Sequence, residues 1–240
     1  MTEYIDINSH ILPGLDDGPK DYSQTLSMLK TAYEQGVRVI CATPHFRPAM
    51  FKVSISERQE AFERVRDMAK TIAPDFEIIL GNELYYTEDS IGYLRDGICK
   101  CMANTRYVLV EFSTRAEFSV IRKSINRLVL EGYIPILAHI ERYACVTGNI
   151  DKVEELVDIG GYIQVNSSSF FSKRLRNRNF VRKLLKHNLI HFISSDSHND
   201  SDRGYSFTEA AGYIEKKYGI EYVEKLMYYN PVRMLNDEFV

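Results

Sequence analysis

Histidines and carboxylates recur along the 240-residue sequence, and each follows closely on a short apolar run. The side chains with this placement are His10, Asp17, His45, Glu83, Glu111, His139, Asp196 and His198. One such residue is more often a structural hydrogen-bonding group, but repetition after successive apolar runs favours metal binding. Imidazoles and carboxylates together suit divalent Mn, Fe or Zn, with three or four protein ligands for each ion. Because the set exceeds the needs of one ion, it predicts two or three ions that share a bridging carboxylate.

Two arginines accompany these residues, and they indicate what the ions would act upon. Arg142 lies three residues after His139, and Arg203 follows His198 closely. Either arginine alone would more often be a surface or salt-bridge residue. A guanidinium beside a metal cluster matches the paired oxygens of a phosphate group. Together the two arginines predict a phosphoester substrate.

The apolar runs that precede these residues are typical of strands in one parallel sheet. Seven such runs cover 4–7, 37–42, 77–80, 107–112, 134–138, 162–165 and 190–194. Amphipathic stretches typical of helices cover 21–35, 54–72, 118–131, 150–159 and 180–188. This alternation predicts a single α/β domain over residues 1–240, either as an open doubly wound sheet or as a closed barrel. In both, the carboxyl ends of the strands form the active-site face.

The composition excludes several other classes of protein. The chain has 30 Lys and Arg against 33 Asp and Glu, a formal net charge of −3, which argues against binding nucleic acid through a basic surface. Four cysteines are too few for a disulfide scaffold. The sequence contains no apolar stretch long enough for a transmembrane helix and no secretory signal, so we expect a cytoplasmic protein without membrane insertion.

One motif points to a different phosphatase chemistry. The segment from Cys41 to Arg47 has the Cys-x5-Arg spacing of the cysteine-dependent phosphatases. It lacks the glycines that would let backbone N–H groups surround a phosphate, and Cys41 lies inside an apolar strand. The segment is better explained by His45 as a metal ligand.

Several segments resemble the bacterial capsule-type tyrosine phosphatases of the polymerase-and-histidinol-phosphatase (PHP) superfamily. They run in order through almost the whole chain and are Asp6-Ile-Asn-Ser-His10, Ile11-Leu-Pro-Gly-Leu-Asp-Asp-Gly18, Ala42-Thr-Pro-His45, Gly81-Asn-Glu83, Gly132-Tyr-Ile-Pro-Ile-Leu-Ala-His-Ile-Glu-Arg-Tyr143, Ser195-Asp-Ser-His-Asn199 and Asn230-Pro231. The Pro-Gly-x-Asp-Asp-Gly and Ala-His-x-Glu-Arg-Tyr segments are specific to this branch.

The resemblance implies a distorted (β/α)7 TIM-like barrel with a three-metal cluster, usually of manganese. It also implies dephosphorylation of the phosphotyrosine tail of a membrane-associated tyrosine kinase in capsule or exopolysaccharide biosynthesis. Arg142 and Arg203 would bind the phosphate, and Asp196 or a nearby histidine would protonate the leaving group. By motif the three ions would be held by His10, Glu83 and Asp196, by Glu83, Glu111 and His139, and by Asp17, His45 and His198.

The chain departs from the family pattern at one predicted ligand. The first motif of the family is Asp-x-His-x-His, and Asn8 stands where the first histidine would be. An amide oxygen is a weaker ligand than imidazole for Mn, Fe or Zn. The residue could be a tolerated natural variant, an engineered substitution or a sign of lost catalysis. Two alternatives to a tyrosine phosphatase therefore stay open: a phosphatase for histidinol phosphate or another small phosphoester, and a phosphotyrosine-binding module with weakened catalysis.

Overall fold

The protein, described here from a computed structural model of residues 3–51 and 53–240, is built around parallel strands. They are β1 (Tyr4–Ser9), β2 (Val37–Ala42), β3 (His45–Phe46), β4 (Glu77–Leu80), β5 (Glu83–Tyr85), β6 (Tyr107–Glu111), β7 (Ile134–Leu137), β8 (Tyr162–Asn166) and β9 (Phe192–Ser194). β3 continues the course of β2, and β5 continues that of β4. The strands therefore occupy seven positions, which matches the seven predicted strands.

The strands curl until the last meets the first. Pairing runs in the order β1, β2, β4 in one sheet and β3, β5, β6, β7, β8, β9 in the other. Ser9 and Ser197 form a parallel bridge, and the amides of His10 and Asp196 donate to the Ser197 and Asn8 carbonyls at 2.9 Å. Of the two predicted arrangements, the closed one is therefore confirmed: the fold is a distorted (β/α)7 barrel.

Helices cover the outside of the barrel. They are α1 (Tyr22–Glu34), α2 (Ile55–Ile72), α3 (Ser90–Arg95), α4 (Phe118–Leu130), α5 (Ile150–Asp158), α6 (Leu175–Lys186), α7 (Phe207–Tyr218), α8 (Ile220–Glu224) and α9 (Asn230–Leu235). Polar residues fix several starts: Ser54 and Glu57 form a capping box at α2, and Asp21 caps α1. In the described residues, no helix is long and apolar enough to cross a membrane.

The interior of the barrel is apolar at one end and becomes polar at the other. Tyr107 and Leu109 on β6 pack inside with residues of the other strands, whereas Val108 and Val110 pack against the helices. Because side chains alternate along a strand, Glu111 continues the inward row at the carboxyl end of β6. The strand pattern that fills the core therefore also directs a carboxylate into the polar end.

The helix predictions were less complete than the strand predictions. α6 begins at Leu175, earlier than the predicted start at Phe180, because a segment rich in Arg and Asn carries little apolar periodicity. α7 was not predicted, although Phe207, Ala210, Ala211 and Ile214 lie at helical spacing and are buried.

Candidate metal centre

The predicted metal ligands converge at the carboxyl ends of the strands. His10 follows β1, His45 begins β3, Glu83 begins β5 and Glu111 ends β6. His139 follows β7, Asp196 and His198 follow β9, and Asp17 lies in the loop before α1. Among the described residues, three groups of side chains have their donor atoms within 4.8 Å of one another. The first is His10, Glu83 and Asp196; the second is His45, Glu83 and Glu111; the third is His10, Asp17, His45 and His198.

Glu83 is the centre of the buried part of this arrangement. Its two carboxylate oxygens lie 2.9 Å from His10 Nε2 and 2.8 Å from His139 Nε2. Asp196 approaches the same His10 nitrogen to 3.6 Å, and Glu111 approaches His139 Nε2 to 3.6 Å. One carboxylate therefore joins the first two predicted ligand sets, as a bridging ligand would.

Asp17 is the centre of the outer part. Its Oδ1 lies 3.4 Å from Nε2 of both His45 and His198, and its side chain is 48% exposed. The His10 ring stacks on that of His198 with centroids 3.8 Å apart. These contacts bring together the third predicted set and place it against the first.

Asp16 is a residue of the centre that was not predicted as functional. Its Oδ2 accepts hydrogen bonds from His10 Nδ1 and from the His45 amide, both at 2.8 Å, and Oδ1 accepts from the Gly18 amide. A Cβ on Gly18 would lie 2.5 Å from the His10 carbonyl oxygen, so glycine is required there. The Asp-Asp-Gly motif was the available signal: its second aspartate faces the centre, and its first orients two histidines.

Two residues of the centre have left-handed backbone conformations. φ is +35° at His139 and +51° at Asp196. Hydrogen bonds hold both, since the His139 amide donates to Gln164 Oε1 at 2.6 Å and Asn166 Nδ2 donates to Asp196 Oδ2 at 2.8 Å. Strained conformations of this kind persist where the surrounding contacts determine them, often at functional sites.

The centre carries more carboxylates than its imidazoles can offset. Burial favours the neutral form of His10, yet the carboxylates of Asp16 and Glu83 raise its pKa well above the ordinary value. The neighbouring imidazoles of His198 and His45 hold the pKa of Asp17 well below its usual range. Burial, together with the charge of Glu83, raises the pKa of Glu111. The surroundings therefore favour the protonated forms of His10 and Glu111, and a bound cation would supply the same positive charge in place of those protons.

Unpartnered nitrogens also fit metal binding. Nδ1 of His45 and Nδ1 of His139 are buried without a hydrogen-bond partner among the described residues. Buried polar atoms normally have partners, so these two are either strained or available to a ligand. Together with the carboxylate excess, they make this donor set suitable for Mn, Fe or Zn.

Asn8 is buried beside the centre, but its contacts lie elsewhere. Its Oδ1 accepts a hydrogen bond from Thr43 Oγ1 at 2.8 Å, and its Nδ2 is buried with no partner among the described residues. The same amide oxygen would have to exchange or share the threonine contact to coordinate an ion. The predicted role of Asn8 as a ligand stays a prediction.

The two predicted phosphate-binding arginines lie at the mouth of the centre. Arg142 pairs with Asp196 Oδ2, and Arg203 donates to Asp17 Oδ2 at 3.0 Å. Both side chains are 36% exposed and line a cleft of about 210 Å³ with Asp17, His45 and Glu111. An anion that entered this cleft would meet both guanidinium groups and the ligand set together.

Cys41 does not line this cleft. Its side chain packs inside the barrel with Ile7 and Leu109 and is fully buried. Burial raises the pKa of the thiol, so the reactive thiolate is disfavoured. The structure thus agrees with the sequence-based rejection of Cys41 as a nucleophile.

Comparison with known proteins identifies the family. Residues 4–236 match the model of the capsular polysaccharide synthesis family CpsB/CapC. The chain is 35% identical to the tyrosine-protein phosphatase CpsB of Streptococcus pneumoniae, over 98% of this chain and 100% of that protein. A solved structure from the pair YwqE of Bacillus subtilis and CpsB of S. pneumoniae, described as metal-dependent tyrosine phosphatases, has a TM-score of 0.90 at 30% identity and covers 98% of this chain and 96% of that one.

A more distant relative shows the fold alone. The histidinol phosphate phosphatase of Lactococcus lactis has a TM-score of 0.59 at 14% identity, with 90% of this chain and 94% of that chain covered. The family match and the 35% identity confirm the resemblance to the capsule-type phosphatases that the sequence motifs indicated. The chain belongs to the CpsB/CapC family of capsular polysaccharide synthesis proteins.

Proposed function

We propose that the chain, acting as a single domain over residues 1–240, is a metal-dependent protein-tyrosine phosphatase. The observation that carries the proposal is the convergence of three ligand groups on Glu83 and His10, with Arg142 and Arg203 at the mouth of the same cleft. The 35% sequence identity to a tyrosine-protein phosphatase, over 98% of this chain, supports the same activity.

The cations would be two or three divalent ions, with manganese as the first candidate and Fe or Zn as the others. His10, Glu83 and Asp196 would hold one ion, Glu83, Glu111 and His139 a second, and Asp17, His45 and His198 a third. Bound divalent ions lower the pKa of water to produce a nucleophile and offset charge on a phosphoryl group. Asp16 would keep His10 and the backbone at His45 in place for this binding.

The side chains of the cleft have separate tasks in phosphoester hydrolysis. Arg142 and Arg203 would hold the phosphoryl oxygens and stabilise the charge that develops on them. Asp196 or an adjacent histidine would give a proton to the leaving phenolate. Phe51 and Met50 line the same cleft, and the Phe51 ring stacks parallel to that of His45, so an aryl leaving group would meet an apolar wall.

The exposure of the cleft supports a protein substrate over a small phosphoester. Asp17 and both arginines are partly open to solvent, so a phosphotyrosine on a peptide can reach them without entering a closed cavity. We infer that the physiological substrate is the phosphotyrosine tail of a membrane-associated bacterial tyrosine kinase in capsule or exopolysaccharide biosynthesis, and that the enzyme works in the cytoplasm.

Hydrolysis of p-nitrophenyl phosphate, a phosphotyrosine peptide and histidinol phosphate tests the proposal. We expect turnover of the first two with added Mn, loss of that turnover in EDTA, and recovery when Mn is restored. Cys41→Ala should leave kcat unchanged, because the buried thiol does not reach the cleft. Activity that survives EDTA but disappears in Cys41→Ala would contradict the proposal, and faster turnover of histidinol phosphate would move the assignment to a small-molecule phosphatase.

A further inference from the structure

A second cavity adjoins the metal cleft and is rich in arginine. It has a volume of about 790 Å³, and we call it the arginine pocket. Its guanidinium groups come from Arg115, Arg142, Arg174, Arg176 and Arg203. Arg142 and Arg203 also line the metal cleft, so the two cavities meet at the residues proposed to bind the reacting phosphate.

Three of the five arginines are not neutralised by the protein. Arg115, Arg174 and Arg176 are exposed, and over residues 3–51 and 53–240 no carboxylate lies within 4.0 Å of their guanidinium nitrogens. Arg176 Nη2 donates to the Thr147 carbonyl at 2.8 Å, which fixes its direction but leaves its charge uncompensated. Two exposed arginines outside the pocket, Arg95 and Arg106, do have acidic partners.

The two acidic residues of the pocket do not cancel this charge. Glu141 is buried, and its Oε1 accepts hydrogen bonds from Ser169 Oγ at 2.6 Å and from the Asn166 amide at 3.1 Å. Asp202 accepts from Asn199 Nδ2 at 3.0 Å. Because Asp196 and Asp17 already pair with Arg142 and Arg203, three unpaired guanidinium groups against two carboxylates leave the pocket net positive, on a chain whose overall charge is −3.

The backbone at the start of α6 adds to the positive electrostatic potential of the arginine pocket. α6 begins here, with Arg174 at its N-cap position, and the Arg174 side chain does not cap the first N–H groups of the helix. The amino end of a helix carries partial positive charge and favours anions. The paired N–H donors of an arginine guanidinium can bind two oxygens of a phosphate or carboxylate group, and the backbone N–H groups at the start of α6 can donate to the same anion.

We propose that the arginine pocket binds an acidic or phosphorylated residue that flanks the reacting phosphotyrosine on the same peptide. The inference rests on the proposed phosphatase function, since the metal cleft must hold one residue of that peptide. It assigns a substrate class: peptides with a second anion near the phosphotyrosine are preferred over those with neutral neighbours.

Steady-state kinetics on a matched peptide series tests this preference. The series places serine, glutamate or a second phosphotyrosine at successive positions on either side of one phosphotyrosine. We expect kcat/KM to be about fivefold higher for the better-placed anionic peptides, the size of effect that an exposed ion pair gives. A comparison of the peptide that has glutamate at a given position with the peptide that has phosphotyrosine there distinguishes recognition of a carboxylate from recognition of a phosphate.

Variants of the unpaired arginines then assign the preference to the pocket. The double variant Arg115→Gln with Arg174→Gln should lose it, while turnover of the serine peptide and of p-nitrophenyl phosphate stays unchanged. Arg66→Gln, at an exposed arginine of α2 outside the pocket, is the control for loss of one surface charge and should keep the preference.

Four results would overturn the inference, and they are distinguishable. A preference that persists in the double variant, or no preference in the wild type, would remove the pocket from substrate binding while the phosphatase proposal stands. Turnover of p-nitrophenyl phosphate with no turnover of any phosphotyrosine peptide would overturn both. Co-sedimentation with phosphatidylserine vesicles that depends on Arg115 and Arg174, without a peptide preference, would assign the pocket to a membrane surface.

Discussion

The metal centre has two halves that differ in how firmly the protein holds them. The inner half consists of His10, Glu83, His139 and Asp196, which are buried and joined to one another or to neighbouring side chains by hydrogen bonds. The outer half consists of Asp17, His45, Glu111 and Arg203, which are partly exposed and lie against the cleft. The inner half is therefore arranged before any ligand enters, and the outer half is the part that a substrate can contact.

The difference separates two tasks that a phosphatase of this kind must combine. Ion binding requires fixed donors, and buried neighbours provide them at Glu83 and His10. Phosphate binding requires donors that the substrate can reach, and Arg203 and Arg142 provide them at the mouth. We therefore expect substitutions in the inner half to remove metal and activity together, and substitutions at the mouth to weaken substrate binding while the metal stays.

The largest effect is expected for Glu83→Ala. Since Glu83 joins two ligand sets, its loss should lower kcat by roughly a thousandfold, equal to several kcal/mol of lost charge stabilisation. Metal content after dialysis should fall with it, whereas Asp17→Ala should retain most of the inner metal. If the two variants lose equal amounts of metal, the division into two halves is wrong.

The next effect concerns the arginines. Arg142→Gln and Arg203→Gln should each reduce kcat/KM for a phosphotyrosine peptide by about a hundredfold, the usual cost of one positioned donor to a developing charge. Metal content should stay at the wild-type level in both, as measured on the purified proteins. Because Arg142 pairs with the inner residue Asp196 and Arg203 with the outer residue Asp17, a loss of metal in Arg142→Gln alone would show that Arg142 belongs to the inner half.

A smaller effect is expected for Asp16→Asn. An asparagine keeps the shape of Asp16 but removes the charge that favours the orientation of His10, so metal affinity should fall by about 10- to 100-fold. Activity should return when Mn is raised to saturation, because Asp16 positions a ligand and does not contact the substrate. Activity that stays low at saturating Mn would give Asp16 a direct role in the chemistry.

The inner half could be predicted from the sequence more readily than the contacts that support it. The ends of the strands can be recognised in the sequence, since the apolar runs at β1, β4 and β7 stop shortly before His10, Glu83 and His139. The closed barrel then brings those ends together. Asp16 was missed because its partners, His10 and the backbone of His45, come into contact with it only when β1 and β3 lie side by side.

Other features depend on tertiary contacts that no local pattern reports. The charge of the arginine pocket was not predicted, because Arg115 lies in the loop after β6, far along the chain from Arg174 and Arg176 at the start of α6, and that helix was predicted to begin only at Phe180. The sequence shows that Asn8 departs from the family motif, but only the structure shows that its amide oxygen accepts a hydrogen bond from Thr43.

Asn8→His is the substitution that tests how complete the inner half is. An imidazole is a better ligand than an amide oxygen for Mn, Fe or Zn, so we expect metal affinity to rise by about tenfold when the side chain reaches the centre. The buried Nδ2 of Asn8, which lacks a partner among the described residues, leaves a position that a ring nitrogen can use. Titration of metal-free protein with Mn, followed by turnover of a phosphotyrosine peptide, measures both effects. Turnover by the chain with Asn8 at saturating Mn would identify Asn8 as a tolerated variation, whereas activity found only in Asn8→His would make the chain with Asn8 a phosphotyrosine-binding module.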